Sequence, residues 1–212
     1  MYSIKEIFYS IQGEGCHAGR PAVVCRFSGC NLWSGKEKER SKSICKFCDT
    51  DFVGTGGING GVYRSSAKLA HKISLAWPVK KNKLVRPFVV CTGGEPLLQL
   101  DHALISDLHK EGFAVAVETN GTIPAPAGID WLCVSPKAGA PLKQAAGDEL
   151  KLVFPQAGAG PHRYAHLKFR HFFLQPMDGP DREKATRLAL AYVLAHPRWR
   201  ISLQLHKILG VR

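Results

Sequence analysis

The sequence predicts an α/β protein whose core is a parallel sheet of about six to seven strands. Two observations carry that expectation. Short β-branched segments recur along the chain, each closed by polar or Gly/Pro residues, and amphipathic helical stretches separate several of them. The strand segments, in order, are "PAVVCRFSG" (21–29), "RPFVVCTGG" (86–94), "FAVAVETNG" (113–121), "DWLCVSPK" (130–137), "ELKLVFP" (149–155), "RHFFLQPMD" (170–178) and "RWRISLQLH" (198–206). Between them Leu97, Leu100, Leu104 and Leu108 share one helical face, and Ala185, Leu188, Ala189, Tyr192 and Val193 follow the i, i+3, i+4, i+7, i+8 spacing of another. "TIPAPAG" ahead of Trp131 and "KAGAPLKQAAG" after Pro136 are too short or too rich in Gly and Pro for long helices, so the later crossovers are expected to be trimmed. The arrangement is an open doubly wound sheet or a partial barrel. Either way, ligands gather beyond the carboxyl ends of the strands.

With 212 residues, 45% of them hydrophobic, the chain can bury one full core, and a single domain over 1–212 is expected. Lys and Arg number 29 against 17 Asp and Glu, a formal charge of +12. These charges are dispersed in short clusters such as "GKEKER" (35–40) and "KKNK" (80–83), without interleaved aromatics or helix-turn-helix or finger spacing. They read as a solvated basic surface or, alternatively, as one that attracts an anionic small molecule, and no nucleic-acid partner is expected. Seven cysteines make an odd set, which argues against a disulfide framework and for a reducing compartment. The first residues carry no apolar signal region, and no stretch approaches the roughly 18 apolar residues of a membrane span, so a cytoplasmic protein without a membrane partner is expected.

The polar strand ends hold the candidate chemistry. "CTGGEP" (91–96), "ETNG" (118–121), "SPK" (135–137), "QPMD" (175–178) and "LQLHK" (203–207) would all reach one mouth of the sheet. Any one of them could be a plain turn. "TGGEP" is not a phosphate loop, since no Gly-Lys-Ser/Thr follows and Pro96 opens a helix. The cysteines are more specific. Cys45 and Cys48 form one Cys-x2-Cys pair, with fourteen residues between Cys30 and Cys45. A closed zinc site wants four ligands, and Cys16 in its loop could be the fourth. Cys25, Cys91 and Cys133 sit in apolar strands, where cysteine usually acts as a small hydrophobe. The alternative is an iron-sulfur cluster on three thiolates, whose fourth iron stays open to substrate or cofactor.

A three-cysteine loop after a strand, Phe47 just before its last cysteine, and "GGEP" at the end of the next strand resemble the radical S-adenosylmethionine superfamily. The usual Cys-x3-Cys-x2-Cys loop is widened here. With "FYSIQGEG" (8–15), "VCRFSGCNLW" (24–33), "CKFCDTDF" (45–52), "ETNG", "SPK", "QPMD" and "LQLHKILGVR", the chain is similar, nearly end to end, to the 7-carboxy-7-deazaguanine synthases of queuosine and deazapurine biosynthesis. The resemblance implies a partial, trimmed (β/α) barrel with an extended cluster-binding loop at about 30–48. It implies conversion of 6-carboxy-5,6,7,8-tetrahydropterin to 7-carboxy-7-deazaguanine with loss of ammonia, Mg2+ dependence, a homodimer and an electron donor such as flavodoxin.

Carried over by position, Cys30, Cys45 and Cys48 would hold a 4Fe-4S cluster. Phe47, Asp49, Gly93, Gly94, Glu95, Glu118, Asn120, Ser135, Lys137 and Gln175 would meet S-adenosylmethionine. Thr50 is the first choice for Mg2+, flanked by the hard oxygens of Asp49 and Asp51. Gln12, Glu14, Gly15, Arg26, Thr92, His206 and Arg212 would meet the pterin, with the planar fork of Arg26 on its carboxylate and the terminal carboxylate on its amino-pyrimidine edge. The segment "KILGVR" is expected to turn across the mouth at Gly210, with His206 at the end of the last strand. Two other readings remain: an activating enzyme of the same superfamily acting on a protein, and a zinc-containing nucleic-acid-binding module.

Overall fold

The computed structural model describes residues 1–78 and 85–212; the "KKNK" cluster at 80–83 lies outside them. A nine-stranded sheet has the order β3-β1-β2-β4-β5-β6-β7-β8-β9. Its strands are β1 (Tyr2–Ile11), β2 (Pro21–Phe27), β3 (Gly61–Tyr63), β4 (Phe88–Gly93), β5 (Ala114–Thr119), β6 (Trp131–Val134), β7 (Ala146–Phe154), β8 (Lys168–Pro176) and β9 (Trp199–Ile201). From β2 onward every neighbour pair except those of β1 and β3 is parallel, so β2 and β4 to β9 form the expected seven-stranded parallel sheet. β1 and β3 add an antiparallel margin that the sequence reading lacked. Strand β1 escapes a search for alternation because its register breaks between Ile4 and Glu6. That bulge puts the buried Ile4 and Ile7 three residues apart instead of two.

Helices α1 (Ser66–Ala76), α2 (His102–Lys110) and α3 (Arg182–Ala195) cover one face, and α4 (Leu205–Leu209) follows β9. The leucines at 97, 100, 104 and 108 are all buried as expected, but not on one helix: Leu97 is on a 3-10 turn, Leu104 and Leu108 are on α2, and Leu100 lies in the connection between them. Pro96–Leu98 form a 3-10 turn, and α2 restarts at Asp101, whose Oδ1 accepts the Leu104 amide at 2.9 Å. On α3 the small Ala185 and Ala189 face the sheet, while Leu188 is 41% exposed, contrary to the expected face. Alanines at the contact bring that helix close to β8 and β9. The crossovers from β5 to β6 and from β6 to β7 hold no helix. No helix among the described residues is long and apolar enough to cross a membrane.

The two faces of the sheet differ. Under the helices lies the main core, where Val23, Val89, Val115, Leu132, Leu150 and Phe172 alternate inward from successive strands. The opposite face is apolar only at its base, around Ala22, Phe88, Val90, Ala114 and Ala116. There the β1–β2 loop inserts His17, 5.0 Å from the Phe88 ring and 4.4 Å from Trp131, which stacks on His171 at 5.7 Å. At the sheet's rim Asp130 joins three elements. Its carboxylate accepts the Val115 amide at 2.8 Å, meets His109 of α2 at 2.8 Å, and pairs with Arg86 just ahead of β4 at 3.1 Å.

Candidate functional site

Above this plug, at the carboxyl ends of the parallel strands, is a cavity of about 320 Å3. Residues that alternate with the helix-side core provide its wall: Arg26 of β2, Thr92 of β4, Glu118 of β5, Lys151 of β7, Gln175 of β8, and Ser135 and Lys137 just past β6. The cysteine loop contributes Cys30, Cys45, Phe47, Cys48, Asp49 and Thr50, and the β1–β2 loop Gln12 and Glu14. Gly93, Gly94 and Asn120 complete the near side, and His206 and Arg212 the far side. Of the positions expected from sequence, Glu95 and Gly15 do not line it.

Both exceptions have a structural account. The Glu95 side chain is fully buried, with Oε1 accepting from the Leu97 amide at 3.0 Å and Thr119 Oγ1 at 2.8 Å, and Oε2 from the Asn120 amide at 2.7 Å. Burial pushes its carboxyl up in spite of these donors. It fastens "GGEP" to the end of β5. The two glycines before it are required by close packing, since a Cβ on Gly94 would stand 1.9 Å from the Gly29 carbonyl oxygen and one on Gly93, at φ 121°, 2.3 Å from that of Phe27. The Gly94 and Glu95 amides donate to those same carbonyls at 3.1 and 2.9 Å, which sutures the loop to the segment entering Cys30. Gly15 sits below the cavity. Its amide donates to Ser202 Oγ at 2.9 Å, and a Cβ there would meet Glu149 at 2.0 Å.

The three expected thiols share one end of the cavity. Cys45 and Cys48 are hydrogen-bonded to one another, and that bond pulls Cys48 down to about 6 while pushing Cys45 up. Cys30 is raised by burial and feels the Cys48 charge. Lys137 stands beside the pair, its ammonium bound to Ser135 O at 2.5 Å and Oγ at 2.7 Å; burial lowers its pKa and the Cys45 thiol works against that. The other cysteines stand apart from this end. Cys25, Cys91 and Cys133 are buried in strands, and the Cys16 amide is held in the floor by Glu149 at 2.8 Å. Among the described residues no three His, Cys, Asp or Glu side chains converge as a single-ion site. Three spaced thiols around a cavity suit a four-iron cluster, in which three irons would take one thiolate each and the fourth would have no protein thiolate.

Hard oxygens are scarcer than "CDTD" suggests. Asp51 pairs with Lys5 at 2.8 Å, and Asp49 accepts from Gln204 at 2.9 Å and Lys207 at 2.5 Å. Burial raises the Asp49 carboxyl, but those two donors outweigh it and hold it low. Thr50 is left as the uncommitted oxygen of the motif.

Several residues missed by sequence reasoning organise the rest. Glu6 accepts Arg26 Nε at 2.9 Å and Arg212 Nη1 at 3.3 Å, and so holds by its Nε edge a guanidinium whose residue lines the cavity. Lys207 bridges Asp49 and Asp178, the latter at 2.7 Å. Gln204 joins Asp49 to Glu14, at 3.0 Å from the latter. Lys151 reaches both Glu14 and Glu118. His206 lies on α4, not at the end of a strand as expected, because β9 stops at Ile201; its ring rests on Gly13, where a Cβ would stand 1.9 Å from Nδ1. Gly210 makes the expected bend, at φ 65°. One signal for Lys151 was available: in "ELKLVFP" Glu149 and Lys151 occupy alternate positions of an otherwise apolar strand, so one face of it had to be polar.

No family model matches the chain. It is 60% identical over 210 residues to the 7-carboxy-7-deazaguanine synthase of Caulobacter vibrioides and 57% identical over 213 residues to that of Bordetella pertussis, with 99% of each chain covered in both cases. The synthase of Bacteroides thetaiotaomicron is 41% identical over the full length of both proteins. Among solved structures, the crystal structure of QueE from Escherichia coli superposes with a TM-score of 0.67 at 27% identity, covering 97% of this chain and 94% of that one.

Proposed function

The chain belongs to the 7-carboxy-7-deazaguanine synthase family of radical S-adenosylmethionine enzymes, and from that premise we infer that its cavity converts 6-carboxy-5,6,7,8-tetrahydropterin to 7-carboxy-7-deazaguanine with loss of ammonia. One observation supports the reading most: three thiols and a carboxylate- and amide-bearing loop, from opposite ends of the sheet, face the same cavity. Cys30, Cys45 and Cys48 would hold a 4Fe-4S cluster, and Lys137 would offset part of its negative charge. When bound, the cluster supplies the electron that splits S-adenosylmethionine and so provides the radical that takes hydrogen from the pterin. Asn120, Ser135 and Gln175, together with Phe47, Asp49, Gly93 and Gly94, are the cavity groups placed for S-adenosylmethionine, while Glu118, bonded to Gln12 and Thr92, stands with the substrate-facing set. Glu95 acts on it through the position of the "GGEP" backbone.

On the substrate side Arg26 would offer its Nη pair to a carboxylate, with Thr92 beside it in register on β4. Gln12 and Glu14 offer acceptors to a pyrimidine edge, and His206 and Arg212 close the far side. Mg2+ at Thr50 would take most of its remaining ligands from substrate and water. A homodimer would cover the exposed Leu203, Ile208, Leu209 and Val211 around α4, and a one-electron donor such as flavodoxin would reduce the cluster.

The test is anaerobic reconstitution, which should give about four irons per chain, followed by turnover of the tetrahydropterin to the deazaguanine and ammonia. Cys48→Ala should lose both the cluster and the activity. Cys91→Ala, in the core, should keep both and cost only about 1–2 kcal/mol of stability. A full, active cluster in Cys48→Ala would end the assignment.

A further inference from the structure

We propose that Lys151 is a positioning residue that pairs with Glu14 and Glu118 at once, and so fixes the inner wall of the cavity as a hydrogen-bond acceptor that selects a substrate edge made of donors. The proposal rests on the reading of the cavity as a pterin site. Its starting point is geometry. The Lys151 side chain is 5% exposed, and its ammonium lies between two carboxylates from different parts of the chain, Glu118 on β5 at 3.1 Å and Glu14 on the β1–β2 loop in direct contact. Each carboxylate in turn orients residues facing the substrate. Glu118 accepts from Gln12 Nε2 at 3.1 Å and from Thr92 Oγ1 at 3.0 Å, and Glu14 from Gln204 Nε2 at 3.0 Å. One buried cation thus stands behind a set that includes Gln12, Glu14 and Thr92.

A carboxylate only accepts hydrogen bonds, whereas a carboxylic acid also donates one. Two carboxylates held together in a buried pocket without a cation do not both ionise at neutral pH, because their repulsion raises one of them. A proton there would place a donor where the N–H groups of an amino-pyrimidine need acceptors. With Lys151 present, burial works against the Glu118 charge but the ammonium outweighs it, and the carboxyl stays low. Lys151 itself is driven up by the same two partners against its own burial. The other titratable groups around the ammonium are Cys133 of β6, Glu149 of β7 and Lys137 past β6, with His206 of α4 above Gly13. Glu149 is engaged with the Cys16 amide and, at 3.3 Å, the Cys133 thiol, so it takes no part in the bridge.

The test compares reconstituted wild-type enzyme with Lys151→Met, Lys151→Arg and the charge-balanced Lys151→Met/Glu118→Gln. It measures the pterin dissociation constant by anaerobic equilibrium dialysis from about pH 6 to about pH 8.5. Wild-type binding should be flat across that range. Lys151→Met should bind roughly 10- to 100-fold more weakly at the acid end and recover as pH rises and the stranded carboxyl loses its proton. Lys151→Arg should restore flat, tight binding, and the double variant should lose the pH slope. A merely structural bridge predicts a lower melting temperature with no pH slope. Flat binding in Lys151→Met, or a persistent slope in the double variant, would overturn the proposal; the double variant carries the test alone if Lys151→Met does not fold. If Lys151→Arg binds normally yet does not turn over, Lys151 is a proton donor and its role here is wrong. Absence of pterin binding by the wild type would instead refute the functional reading itself.

Discussion

Arg26 illustrates how single side chains acquire a direction in this protein. Its Nε is taken by Glu6 at 2.9 Å, which leaves one edge of the guanidinium for ligand. Lysine at that position would keep the charge and lose the second donor. Arg26→Lys should therefore weaken pterin binding by about 1–2 kcal/mol, read as a higher KM, while uncoupled cleavage of S-adenosylmethionine proceeds at its usual rate. Equal damage to both reactions would make Arg26 a strut of the sheet. The residues legible from sequence share a feature: they follow an apolar run or belong to a spaced cysteine motif, as Cys30, Cys45, Cys48, Thr92 and Glu118 do. Glu6, Lys151, Gln204 and Lys207 were not legible because their roles lie in pairings across the fold, such as Lys207 with Asp49 and Asp178. Linear spacing carries no trace of such pairs.

At the scale of elements, hydrogen-bonded joints matter as much as packing. Asp130 ties the turn before β6 to β5, to α2 and to the approach to β4. Burial pushes its carboxyl up, but the Val115 amide, His109 and Arg86 outweigh it and the pKa falls below the ordinary 3.8. A depressed folded-state value means that this stabilisation is complete above the unfolded pKa and disappears as pH falls through the folded one. Asp130→Asn should accordingly cost about 1–2 kcal/mol at neutral pH, with the gap to wild type closing on acidification, as urea denaturation at a series of pH values would show. A gap independent of pH would assign the loss to amide geometry instead. The seven parallel strands were readable because each is a short apolar run buried on its helix-side face. Strand β1 was not, since its bulge breaks the two-residue period. His206 was assigned to a strand because "ISLQLH" alternates, yet Ser202 and Gln204 turn out to serve the β1–β2 loop, and the chain enters α4 instead.

For the molecule as a whole, the decisive feature is that the sheet remains open and the end of the chain bridges the gap. Edge strand β9 never pairs with β3 or β1. The gap is bridged by hydrogen bonds between the end of the chain and the segment from β1 to β2: the Leu205 amide donates to Gly13 O at 2.8 Å, Gly15 to Ser202 at 2.9 Å, and Ser10 to the Arg212 carbonyl. Removal of residues 210–212 cuts the last of these ties and the Arg212 contact with Glu6. It should lower pterin turnover on the order of tenfold or more, equivalent to about 1.4 kcal/mol or more, with cluster content and melting temperature unchanged. Turnover at the full-length rate would show that the other ties suffice.

Those ties also set an order in time. The residues that Ser10 bonds to are 202 positions further along the chain, so during synthesis β1, β2 and the cysteine loop emerge long before anything exists to close over them. At the usual elongation rates of about 5–20 residues per second, the interval is roughly 10–40 seconds. The parallel strands can pair as they appear, each on the one before, since the sheet from β4 to β9 grows in chain order. The wall of the cavity is finished only once α4 has been made. A nascent chain of this protein would thus expose its thiols to the surrounding solution for most of its synthesis, and cluster insertion has a natural window before the mouth shuts.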